Sequence, residues 1–290
     1  MAVCRAEVSA LDDAGRQITI TEPARRIIAV APHLAELTYA AGAGQRLIAT
    51  VRGADYPSDV LALPSVGDAA GLDFERIRQL EPDLILAWGS GNKPADLERL
   101  ASGLAAVFVM EPRDLKDISR HLRMIGRLAG TQAVAENAAA RVERKLQQLR
   151  QRYAGASTID VVVEIWHQPL FTVGDEHLLS NALRVCGARN ALPDYPLPAG
   201  PVPLEDVLAA DADVILSVTG MTQAEAQASW SQYRSVSGYQ GVQVVAVDPD
   251  LLTRPGPRML QGIEMLCTQL EQVREEARRK GRAGAPLAGM

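Results

Sequence analysis

The sequence predicts an α/β fold of two similar lobes joined by one long helix. Three observations carry that expectation. Strand and helix signals alternate along both halves of the chain. A helical stretch without Gly or Pro, Thr131 to Tyr153, separates the halves. A block of sequence then recurs: Glu75 to Trp88 aligns without gaps to Glu205 to Val218, with Glu75/Glu205 and Asp83/Asp213 identical at a constant offset of 130 residues.

In the first half, Ile27 to Val30 reads as a buried strand. Pro32 to Ala41 is a helix that starts on Pro and ends on Gly42. Arg46 to Val51 is a strand, Asp73 to Leu80 a short helix, Asp83 to Ala87 a strand and Pro94 to Ala101 a helix. The apolar run Ala105 to Met110 and a helix from Asp114 to Leu128 complete the half. The joining helix carries its apolar face at Val134, Ala138, Val142, Leu146, Leu149 and Tyr153, and at 1.5 Å per residue it is about 35 Å long. Beyond Gly155 come a strand at Ile159 to Ile165, helices at Leu178 to Val185 and Leu204 to Ala209, strands at Asp213 to Val218 and Val242 to Val247, and a closing helix from Pro257. The expected organisation is an amino-terminal lobe over residues 1–130, a connecting helix over 131–156 and a carboxy-terminal lobe over 157–290. Each lobe is Rossmann-like, with a ligand cleft between them.

Composition narrows the function. Of 290 residues, 47% are hydrophobic and 22% charged, which suits a packed core and excludes disorder. The net charge is −5, with 35 acidic against 30 basic residues, so a nucleic-acid partner is not expected. Apolar runs such as Leu104 to Met110 fall far short of the roughly 18 residues that span a bilayer. The first residues, Met1 to Ala6, contain no apolar export segment; either the protein is cytoplasmic or a signal peptide is absent from this chain. Cys4 suggests lipidation, against which stands the bulky Val3 before it. Cys186 and Cys267, if bridged, close a loop of 81 residues worth roughly 4.5 kcal/mol; two buried free thiols are the equal alternative.

Catalytic motifs do not appear: no Walker A, CxxC, HExxH or GxSxG sequence occurs. Gly42-Ala43-Gly44 imitates half of a dinucleotide fingerprint, but it follows a helix and leads into a strand, so a helix cap and turn explain it better. His33 and Glu36 have metal-ligand spacing but no third ligand, and no catalytic residue or bound metal is expected. What stands out is placement. Trp88 and Trp166, two of three tryptophans, close strands, with Phe171 just beyond the second. Carboxyl ends of strands are where open α/β sheets bind ligands.

These residues together resemble the periplasmic substrate-binding proteins of ABC importers for metal chelates, and most of all the cobalamin-binding members. The resemblance runs from Arg26 to Leu270 through Ala31-Pro32, Asp55-Tyr56-Pro57, Pro82-Asp83-Leu84, Phe171-Thr172-Val173-Gly174, Val185-Cys186-Gly187, Pro257-Arg258 and Leu266-Cys267. It implies a disulfide between Cys186 and Cys267, hence an oxidising periplasmic location and a removed signal peptide. It implies that Glu75 and Glu205 dock on arginines of a dimeric inner-membrane permease, against a bland role in favouring helix N-termini. Trp88, Phe171, Asp250 and Arg254 match cobalamin-contacting positions, with Pro32 beside them. The implied function is delivery of a corrinoid, such as cobalamin, to the importer by a monomeric receptor that is not an enzyme and holds no cofactor beyond its cargo.

Departures from that pattern are equally informative. Three aromatic positions of the cobalamin pocket fall on Gly53, Ala69 and Ala199, which weakens binding or opens room for another ligand. Five prolines between Pro193 and Pro203 suggest a stiff rim loop, and Trp166 and Tyr195 are placed to compensate for lost aromatics. His167 is either an axial metal ligand or a strand-end histidine bonded to backbone. Haem is a sister ligand, but Val66-Gly67 is followed by Asp68 where haem carriers often place Tyr; His33 and His167 would have to serve instead. A ferric siderophore would call on Arg52, Arg254 and Arg258. A chelatase-like enzyme is the distant alternative.

Overall fold

The computed structural model describes residues 7–236, 239 and 242–283; Cys4 lies outside them. The chain divides into two compact units, residues 1–144 with Pro255–Pro257, and Lys145–Arg254 with 258–290.

The first unit opens with an antiparallel hairpin, β1 (Val8–Leu11) and β2 (Gln17–Ile20), that the alternation of signals does not predict. Asp12 shapes its turn by accepting hydrogen bonds from the amides of Ala14 and Arg16. The expected alternation follows: β3 (Ile27–Ala29), α1 (Pro32–Ala40), β4 (Leu47–Thr50), a small antiparallel pair β5 (Gly67–Asp68) and β6 (Gly71–Leu72), α2 (Phe74–Gln79), β7 (Leu84–Trp88), α3 (Pro94–Ala101), β8 (Ala106–Met110) and α4 (Lys116–Ala129). The order β4-β3-β7-β8 makes a wholly parallel four-stranded sheet. Its strands read as continuous apolar runs because helices cover both faces. On one face Ile28, Val30, Ile85 and Val107 pack against Phe74, Ile77 and Leu100.

The long helix, α5 (Gln132–Tyr153), buries Ala138, Val142, Leu146, Leu149 and Tyr153 as the periodicity predicts. Val134 departs from the stripe: it is half exposed and rests on Gly42, where a Cβ would lie 2.8 Å from its side chain.

The second unit contains β9 (Ile159–Glu164), β10 (Phe171–Val173), α6 (Leu178–Val185), β11 (Ala188–Asn190), β12 (Ala199–Pro201), α7 (Leu204–Ala209), β13 (Val214–Ser217), α8 (Gln223–Ser231), β14 (Gln243–Ala246), α9 (Pro249–Leu252) and α10 (Met259–Ala283). Its main sheet, β11-β9-β13-β14, is again parallel. The proline-rich stretch is not all loop: β12 pairs antiparallel with β10, matching Phe171 to Pro201 and Val173 to Ala199. Pro201 is tolerated because this small ladder leaves its nitrogen no partner to lose. Cys186, at the end of α6, is disulfide-bonded to Cys267 in α10 with the Cα atoms 4.7 Å apart.

The sequence repeat is also a structural one. α2 and α7 begin and end at the same 130-residue offset, and each leads through a non-glycine residue of positive φ, Glu81 at +44° and Asp211 at +48°, into a parallel strand. The following aspartates then tie that strand to its neighbour. Asp83 accepts from the amides of Arg25 and Arg26 at 2.7 and 3.0 Å, and Asp213 accepts from the amide of Asp160 at 2.8 Å.

Candidate functional site

Each unit gathers predicted ligand-binding residues at the carboxyl edge of its own sheet. In the first unit β3 delivers Pro32 and His33, the first two residues of α1. Gly53 follows β4, Asp68 and Ala69 form the tip of the β5–β6 pair, and Trp88 ends β7. The neighbouring order of β4, β3 and β7 is what brings these sequence-distant residues to one edge.

Trp88 is held by its own loop. The Asn92 side chain accepts from the Trp88 amide at 2.7 Å and donates to the carbonyl of Val30 at 2.8 Å, which closes the turn. Gly91 lies under the indole, where any Cβ would come within 1.9 Å of the ring, so glycine is required for that close approach. His33 meets the same indole edge-on, with centroids 4.9 Å apart. The indole Nε1 is buried with no hydrogen-bond partner among the described residues. His33 and Glu36 are both buried in α1, and no group of three or more metal-ligating side chains occurs among the described residues.

Gly53, one of the three small residues of the expected ligand set, has an unusual backbone. Its φ is +92°, a conformation that side chains resist, and the space above it is open. Asp68 caps the turn by accepting from the Ala70 amide at 2.8 Å and faces Arg52 at 3.7 Å. Ala69 is exposed.

In the second unit β9 delivers Trp166 and His167. Phe171 pairs back on Trp166 across a tight turn, with the Phe171 amide donating to the Trp166 carbonyl at 2.9 Å. Trp166 is 58% exposed, and its Nε1 donates to the Gln168 carbonyl. Phe171 is half-buried, and Ala199, on the partner strand, is exposed. Tyr195 donates its hydroxyl to the Pro201 carbonyl at 2.9 Å. Beyond β14, Asp250 lies in α9 and pairs with Arg254 at 2.7 Å, one helical turn on. The second unit thus offers exposed aromatic area at Trp166 and, beyond β14, an ion pair between Asp250 and Arg254.

Sequence reasoning missed the residues behind this edge. Among the described residues, His167 bonds to a side chain and not to backbone. Its Nδ1 donates to Glu164 Oε1 at 2.6 Å, and Glu164, the last residue of β9, is fully buried. The Trp230 indole donates to the same oxygen at 3.2 Å. Trp230 also stacks on Tyr239 at 5.7 Å, and burial pushes the Tyr239 hydroxyl up to about 12. The available signal was a glutamate closing the apolar run Val161-Val162-Val163, a position where a charge needs a buried partner.

Glu75 and Glu205 belong to neither aromatic cluster. Both are exposed, in the first turns of α2 and α7, and Glu75 lies 3.9 Å from Arg78. No described helix is long and apolar enough to cross a membrane.

Comparison with known proteins places this arrangement among relatives. The profile of a family described as periplasmic binding protein matches residues 27–237. The vitamin B12-binding protein of Vibrio cholerae is 33% identical over 253 residues, covering 86% of this chain and 90% of its own. That of Pectobacterium carotovorum is 34% identical over 250 residues, covering 85% of this chain and 88% of its own. The crystal structure of the periplasmic vitamin B12-binding protein of Vibrio cholerae aligns with a TM-score of 0.79 at 32% identity, over 87% of this chain and 98% of that one. A periplasmic haem-binding protein in complex with two haems shares the fold, with a TM-score of 0.73 at 23% identity. On this profile match, and on the identity to curated relatives over most of its length, the chain belongs to the periplasmic binding protein family.

Proposed function

We propose that this protein is a periplasmic receptor that binds a corrinoid, cobalamin or a close relative, and hands it to an ABC importer in the inner membrane. The observation that carries the reading is one-third identity, sustained over 86% of the chain, to a vitamin B12-binding protein. The carboxyl edges support it. Trp88, Trp166 and Phe171 offer aromatic faces for a broad apolar ring, and Asp250 with Arg254 offers hydrogen bonds for an amide fringe. Pro32, His33, Gly53, Asp68, Ala69, His167 and Ala199 complete the proposed ligand set. Glu75 and Glu205 are its proposed docking points on a two-subunit permease, for which their exposure and their common offset argue. The receptor is proposed to act as a monomer and to perform no catalysis.

Calorimetric titration with cyanocobalamin, with haemin in parallel, tests the ligand. One-to-one binding of cyanocobalamin at micromolar affinity or tighter is expected. Uptake of haemin alone would transfer the site to another chelate, and silence with both would remove the corrinoid from the reading.

A further inference from the structure

We infer that His167 ligates the metal of the bound corrinoid through Nε2, so that the protein favours corrinoids with an open or exchangeable axial position. The inference rests on the corrinoid reading above and adds the atom that meets the metal.

A carboxylate can only accept, so the proton of the neutral His167 ring is drawn to Nδ1 by Glu164 Oε1, 2.6 Å away. Nε2 is left with its lone pair. Glu164 is itself fixed, by burial and by the Trp230 indole at 3.2 Å on the same oxygen. A carboxylate that orients one imidazole nitrogen and raises the basicity of the other is the usual support for a metal-bound histidine.

Two of the other three histidines, His177 and His121, show what structural service looks like here. His177 Nδ1 accepts the Leu179 amide as a helix cap, and burial lowers the pKa of that ring. His121 is fully enclosed. The His167 side chain is instead 20% exposed, and Nε2 has no hydrogen-bond partner among the described residues. It stands next to Trp166, on the turn that Phe171 closes. The second Glu164 oxygen, Oε2, is buried without a hydrogen-bond partner among the described residues. A buried carboxylate is costly, and a metal bound to the partly exposed imidazole supplies positive charge to the pair. One imidazole suffices for this, since it takes an axial position and the corrin ring supplies the equatorial ligands.

Diaquocobinamide, whose axial waters exchange, and dicyanocobinamide kept in excess cyanide, so that both axial positions stay filled, separate ligation from ring contact. With the unaltered protein, diaquocobinamide should show the visible absorption change of water replaced by imidazole, and dicyanocobinamide should bind without one. His167→Ala should abolish the change and weaken diaquocobinamide by about 10–100-fold, and Glu164→Gln should weaken it by about 10-fold. In both variants the loss should be smaller for dicyanocobinamide than for diaquocobinamide, and circular dichroism matching the parent reports that they fold. Binding of diaquocobinamide by the unaltered protein with no absorption change would overturn the inference and leave the corrinoid reading intact. So would equal losses for both corrinoids in His167→Ala. Failure of the unaltered protein to bind either corrinoid would overturn the reading and the inference with it.

Discussion

Asp13 joins the amino-terminal hairpin to α4 through several donors. His121 Nε2 lies 2.7 Å from one of its oxygens, Arg120 donates to the other, and the Glu111 amide adds a bond at 2.6 Å. Burial alone would raise the Asp13 pKa; the bonds from His121, Arg120 and Glu111 outweigh it and hold the carboxyl well below the usual carboxylate range. A depressed folded pKa means stability that is present above the unfolded value of about 3.9 and is lost as pH falls through the folded one. Asp13→Asn should therefore cost about 1–3 kcal/mol at pH 7 in denaturant melts. The gap to the parent should narrow below about pH 4, where the parent loses the same term; a gap that stays constant down to pH 2 would show that the charge is irrelevant. None of this was legible in the sequence, because Asp13 and His121 are 108 residues apart and no local pattern links them. Glu164 and Trp230 escaped notice for the same reason, at 66 residues.

Among elements, α6 and α10 are joined covalently, since Cys186 and Cys267 bond across 81 residues of chain. The same junction carries Arg274 of α10, buried, which donates to the carbonyls of Ser157, Cys186 and Gly187. With that loop length, removing the bond by Cys186→Ser with Cys267→Ser should lower unfolding free energy by roughly 2–5 kcal/mol. Urea melts of the parent with and without reductant check it; coincident curves would show that packing and Arg274 carry the junction alone. Elements with strong periodicity or clean caps were readable, as for α5 and the central strands. α8 was not: it buries only Ala226 and Trp230, too few apolar positions to mark a face. Its one local signal is the capping box, in which Thr222 and Glu225 bond reciprocally. β10 and β12 are three residues each and take their pairing from tertiary context that no single segment encodes.

Over the whole molecule, the repeat at 130 residues is the feature the sequence exposes best, because helix ends, positive-φ turns and strand-tying aspartates all recur at one spacing. Glu75 and Glu205 recur with them. If they dock on equivalent permease subunits, Glu75→Arg with Glu205→Arg should abolish corrinoid uptake in cells and leave calorimetric affinity for cyanocobalamin unchanged. A fall in affinity would assign them to the ligand instead. The small residues at Gly53, Ala69 and Ala199 were legible as residues, but the backbone at Gly53, with φ at +92°, was not. The disulfide has a further consequence for handling the protein. Residues 194 and 196–199, an exposed run with Asp194 and Leu197, lie inside the chain segment it encloses. A protease that cuts there once leaves two fragments still covalently attached. Such a nicked molecule would migrate as intact protein without reductant and separate into pieces with it.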